Sequence, residues 1–96
     1  MKQENAACYD AEYREKICRT YIKDGFLLLL PDERKARRVI LDYLASDFAL
    51  GKGYAELEVN FKILDHYDEY QTVLHALLSE GIMRKEKGLY YRVKGE

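Results

Sequence analysis

YAELEVNFKILDHYDEYQTVLHALLSEG, running from Tyr54 to Gly81, is the stretch whose reading decides the fold. Val59 and Ile63 mark the inward side of a helix predicted from Ala55 to about Asp65, with Glu56 and Glu58 near its N-terminus. Asp68 is expected to cap a second helix, Glu69 to Glu80, whose spine is Tyr70, Val73, Leu77 and Leu78. Gly81 ends it. Ile82–Lys85 and Leu89–Val93 then read as two strands joined through Glu86-Lys87-Gly88. Two short helices followed by a β-hairpin are the plan of a winged helix-turn-helix.

N-terminal to this stretch, Gly51-Lys52-Gly53 is a turn, and before it Pro31-Asp32-Glu33 opens a helix. Ala36, Val39, Ile40, Tyr43, Leu44 and Phe48 form its buried face, and Arg34, Lys35, Arg37 and Arg38 make its first half basic. Phe26–Leu30, five apolar residues between Gly25 and Pro31, suit a buried extended segment, with the wing as a possible strand partner. A first helix is predicted over Ala6–Lys23, where Tyr9, Tyr13, Ile17 and Tyr21 recur every four residues. Its two adjoining apolar strips fit either docking on its own domain or sharing with a second subunit. Residues 1–5 are polar and expected to fray.

Ninety-six residues suit one domain, 1–96, with a docking or dimerisation helix at 6–24 and a core and wing at 26–94. The formal net charge of −1 gives no global attraction to polyanions. Its distribution is uneven: Leu41–Glu80 holds two basic and eight acidic residues, whereas Gly81–Glu96 holds five basic and two acidic. A polyanion would therefore meet the wing before the helix pair. Cys8 and Cys18 are too few for a disulfide framework, and no signal peptide or long apolar run is present, which points to the cytoplasm and no membrane.

Catalytic and metal chemistry find little support. The spacings of Cys8, Cys18, His66 and His75 match no metal box, and His66, beside Tyr67 and Asp68, reads as a solvated turn histidine. Glu56 and Glu58 diverge by about 200° around a helix, a poor geometry for shared acid–base work. Asn60 reads as a structural hydrogen-bonder. Nucleotide-binding, hydrolase and zinc-protease motifs are absent, so neither an enzyme nor a cofactor is expected, and no small-molecule ligand is indicated.

Several positions follow one ordered set: Leu30-Pro31 ahead of the basic helix, then Tyr54, Glu56, Glu58, Val59 and Asn60, then Asp68 and Tyr70, then Gly88, Tyr91 and Val93. This order resembles an uncharacterised bacterial domain-of-unknown-function family that occurs alone or attached to transcriptional regulators. The resemblance implies a winged-helix-like domain connected with gene regulation. Three departures from the family pattern stand out. Leu74 and His75 replace an Arg-Arg pair on the fourth helix, which leaves that helix without Lys or Arg for reading bases. Ala55 replaces a capping Ser or Thr. Leu57 and Phe61 replace polar residues and join Leu64 in an i, i+4, i+7 row that needs a cover, for which the N-terminal helix is the nearest candidate.

The expected architecture is α+β: an N-terminal helix, a three-helix core and a C-terminal β-hairpin wing, of winged helix-turn-helix type. One functional expectation is a bacterial transcription-regulator protein that grips DNA weakly through Arg34, Lys35, Arg37, Arg38, Arg84, Lys85, Lys87 and Arg92. The other is a protein-interaction or homodimerisation module without DNA reading, which would use Tyr9, Tyr13, Ile17, Tyr21, Leu57, Phe61 and Leu64.

Overall fold

A computed structural model describes residues 9–93. The expected frayed start, the beginning of the predicted first helix, Cys8 and Lys94 lie outside them. Helix α1 spans Ala11–Tyr21; the Asp10 carboxylate at its N-cap accepts the Tyr13 N–H at 2.8 Å. The chain does not continue as helix to Lys23. It turns extended at Ile22 and forms a hairpin, with β1 (Ile22–Lys23) antiparallel to β2 (Phe26–Leu27).

This hairpin corrects the expectation for Phe26–Leu30. Only Phe26 and Leu27 are in a strand, and they pair with β1 rather than with the wing. Leu27 and Leu30 are buried, while Leu28 and Leu29 are more than half exposed. A run of consecutive leucines carries no alternation from which to read its partner.

Helix α2 (Arg34–Ala45) starts at Glu33, whose carboxylate accepts the Ala36 N–H at 2.8 Å. Ala36, Val39, Ile40, Leu41, Leu44 and Ala45 are all buried. That arc is wider than a surface helix presents, because α2 packs against both α1 and α4 (Tyr70–Ser79). Tyr43, expected in the core, is half-buried, and Leu41, not expected there, is fully enclosed.

The strand that joins the wing is β3 (Gly53–Tyr54), taken from the segment read as a turn. It pairs with β5 (Leu89–Arg92), which pairs in turn with β4 (Met83–Glu86), so the sheet order is β3-β5-β4, antiparallel throughout. Gly53 lets the strands approach closely: a Cβ there would stand 3.0 Å from Leu89 Cδ1 and 3.1 Å from the Tyr91 ring, so those side chains would have to give. Tyr54 is buried edge-on to Phe48, with ring centroids 5.0 Å apart, and its hydroxyl accepts the Ala49 N–H.

Helix α3 (Glu56–Leu64) begins at Ala55 without a side-chain cap, as its sequence implies. Helix α4 is capped at Glu69, not Asp68, and also lacks a side-chain cap. It ends in a Schellman motif: the Ile82 N–H reaches Leu77 O at 3.0 Å, and the Gly81 N–H reaches Leu78 O at 3.1 Å. The β4–β5 turn is two residues, Lys87-Gly88, with φ of 53° and 82°. Both are left-handed, as a type I′ hairpin turn requires.

Candidate interaction surfaces

The basic residues of α2 do not form one free cluster. Arg34 and Lys35 are exposed, and the Lys35 ammonium lies 4.4 Å from the centroid of the Tyr13 ring. Arg37 is half-buried, with Nη1 donating to the Pro31 carbonyl at 3.4 Å. Arg38 is engaged inside the domain: Nε meets Asp42 Oδ1 at 3.1 Å, with the two side chains only 14% and 10% exposed. Its Nη2 is buried without a partner among the described residues. Arg38 is therefore not a phosphate contact. It lies one helical turn before Asp42, where withdrawal of the pair from water matters more than its charge to outside partners.

The same pair anchors the chain just before α1. The Tyr9 hydroxyl donates to the second Asp42 oxygen, and the phenol is held far above its ordinary range, first by burial and then by that carboxylate. Tyr13 donates to Glu33 at 3.3 Å. The Glu33 carboxyl lies below its usual range because it accepts the Ala36 N–H. Ile17 is buried, and Tyr9, Tyr13 and Tyr21 pack partly buried against the core. The stripe expected to serve as an interface is thus largely spent within this chain, on α2. It does not cover the apolar row on α3.

That row remains open. Leu57 is 68% exposed and Phe61 62%, one turn apart on α3, with Leu64 half-buried beyond them. Val59 and Ile63 on the opposite side are fully enclosed. Exposed Glu56, Glu58 and Asp65 accompany the row, while Lys62 turns toward the Phe48 and Tyr54 rings. Asn60 has a buried Oδ1 without a partner among the described residues, contrary to its expected role as a structural hydrogen-bonder.

On the wing, Arg84, Lys85 and Lys87 are exposed. Arg84 reaches Glu86 at 3.4 Å, an exposed pair worth little, and Lys85 lies 5.5 Å from the Tyr90 centroid. Arg92 faces inward: Nη1 donates to the Phe48 carbonyl at 3.0 Å and ties β5 to the chain after α2, so it is removed from the expected phosphate contacts. The outer face of α4 presents Gln71, Thr72, His75 and Ser79. Leu74 is core, only 9% exposed, so an arginine there would not face outward in this packing.

His66 had no local signal of importance, yet it joins three segments. Nδ1 lies 2.7 Å from the Gly25 carbonyl, and Nε2 lies 2.6 Å from Asp47 Oδ2. Its own carbonyl accepts the Leu27 N–H at 2.6 Å, and the Tyr43 ring meets it edge-on. Burial opposes charge on the ring, but the Gly25 carbonyl and the Asp47 and Asp65 carboxylates outweigh it and raise the pKa. The partners lie 41 and 19 residues away, so no sequence window contains them.

Among the described residues, these features define a small α+β domain with four helices, short antiparallel sheets and a C-terminal hairpin. No described helix is long and apolar enough to cross a membrane, and no described group of His, Cys, Asp and Glu could hold a metal ion. The chain belongs to a bacterial family described as "Uncharacterized protein conserved in bacteria (DUF2087)", whose model matches residues 26–93. The match covers β2 to the end of the wing and leaves α1 and β1 outside. No curated protein and no solved structure matches the chain.

Proposed function

We propose that this is a protein-interaction module of winged-helix type, which docks a basic, amphipathic segment of another protein on α3. The order α2-β3-α3-α4-β4-β5 and the sheet order β3-β5-β4 support the winged-helix reading. The observation that carries the function is the outward pair Leu57 and Phe61, left uncovered after α1 has packed on α2. Burying both would contribute roughly 3–5 kcal/mol, enough to anchor a helix or an extended peptide. Glu56, Glu58 and Asp65 select a cationic rim on the partner. A symmetric pair of these domains meeting through α3 would bring those acids toward their own copies, which disfavours self-association there.

The test is selection of displayed random helical peptides on the wild-type domain, with removal of those that still bind Leu57→Ser/Phe61→Ser. The expected survivors carry leucine-type anchors one turn apart and a Lys/Arg rim, and their binding weakens with salt. Acidic survivors, or none that depend on Leu57 and Phe61, would overturn the proposal. So would a Phe61-dependent dimer in sedimentation equilibrium, which would assign the face to a second copy.

A second reading has its own support in the exposed wing cations Arg84, Lys85 and Lys87. These would grip nucleic-acid phosphates without reading bases, as part of bacterial transcription control. With three contacts, the affinity for duplex DNA should fall with a log–log salt slope of about −2.7. Titration of generic duplex with the wild type and with Arg84→Ala/Lys85→Ala/Lys87→Ala decides it. Absence of binding at low salt eliminates this reading.

A further inference from the structure

We infer that His66 is a proton-operated clasp, which in its doubly protonated form holds the β1–β2 hairpin and the chain after α2 to the α3–α4 turn. The reason is the chemistry of its two neighbours. The Gly25 carbonyl and the Asp47 carboxylate are both acceptors, at 2.7 and 2.6 Å. Only an imidazolium has an N–H for each. A neutral ring must point a lone pair at one of these oxygens, so one of the two ties is lost on deprotonation.

The surroundings suit the charge. From α2 the ring meets Tyr43 edge-on, and just after that helix it meets Asp47. The end of α3 adds Asp65, and the hairpin offers the Gly25 carbonyl next to Asp24. No cation is among these partners, and together they raise the affinity of the ring for its proton. The turn of this hairpin has positive φ at both Asp24 and Gly25, 55° and 81°, as a type I′ turn requires. The Leu27 N–H to His66 O bond, 2.6 Å, and the buried Leu27 side chain complete the attachment.

The docked ring holds its proton more tightly than a released one. The clasp is therefore closed below about pH 6.5, the ordinary histidine value, and loosens as pH rises through the higher docked value. Each pH unit between the two values corresponds to a tenfold change in hairpin opening. What opens is the segment that joins α1 to the region shared with the family, with Leu27 exposed as it lifts.

Two NMR measurements on the whole chain test this. Long-range imidazole ¹⁵N spectra should show both His66 nitrogens protonated at pH 6, and Asp47→Asn should lower the titration midpoint by about one pH unit or more. The Leu27 amide protection factor, corrected for intrinsic exchange, should fall as pH rises from 6 to 9 in the wild type. It should stay flat in His66→Gln. A neutral ring at pH 6, or a flat Leu27 protection factor in the wild type, would overturn the inference. If His66→Gln does not fold, the Asp47→Asn midpoint decides, and an unchanged midpoint overturns it.

Discussion

Asp42 receives Arg38 Nε on one carboxylate oxygen and the Tyr9 hydroxyl on the other, which fastens the chain just before α1 to α2 at a nearly water-free point. Removing the carboxylate in Asp42→Ala strands a buried guanidinium and an unpaired phenol. The expected loss is roughly 3 kcal/mol, a fall in melting temperature of about 12–24 °C for a domain of this size. Arg38→Met/Asp42→Leu, which removes both charges, should recover most of it. Thermal unfolding by circular dichroism compares the two, and equal losses would contradict this account.

The two sides of α3 should respond in opposite ways to truncation. Ile63→Ala empties an enclosed site and should cost about 2–5 kcal/mol in urea unfolding. Leu57→Ser/Phe61→Ser alters only exposed side chains and should stay within about 0.5 kcal/mol per site of the wild type. A large loss in the double variant would mean that the row is covered in the monomer.

Ala55 has extended backbone, φ −70° and ψ 156°, already suited to an N-cap but with nothing to accept a hydrogen bond. Ala55→Ser, with Glu58 three residues on, completes a capping box. A gain of about 1 kcal/mol is expected from the shift in the denaturant midpoint.

Lys87 occupies a left-handed position that asparagine tolerates better than lysine, and Asn-Gly is the preferred pair for this turn. Lys87→Asn should stabilise the hairpin by roughly 0.5–1 kcal/mol. If the wing grips phosphate, it should also reduce the magnitude of the DNA salt slope by about 0.9.

The pH dependence of global stability should carry the His66 signature. Because its folded pKa is raised, its contribution is complete below the unfolded histidine value and is lost as pH rises through the folded one. The urea midpoint should therefore decline from pH 6 toward pH 9 in the wild type, and His66→Gln should lack that decline. Parallel titrations in urea are sufficient to show it.

Much of this was legible in the sequence because it is local. The helical spacing of Val39, Ile40 and Leu44, the inward pair Val59 and Ile63, the stop at Gly81 and the Lys87-Gly88 turn each depend on a few neighbouring residues. The absence of a cap at Ala55 and of any cation on α4 is likewise a matter of residue type. The order of motifs from Leu30 to Val93 pointed to the family that the match at 26–93 identifies.

What tertiary structure alone decided is which groups are used up inside the chain. Arg34 and Arg38 are the same residue type four positions apart, yet one is exposed and the other is withdrawn from water against Asp42. Arg92 turned inward to Phe48, Leu27 found Ile22 rather than the wing, and His66 met partners from two distant segments. By itself, the sequence determined the helices, the hairpin and the available charges, since backbone preference and hydrophobic period act over a few residues. Packing chose which of those charges and apolar faces remained for other molecules, because burial depends on whichever distant element lies across the gap.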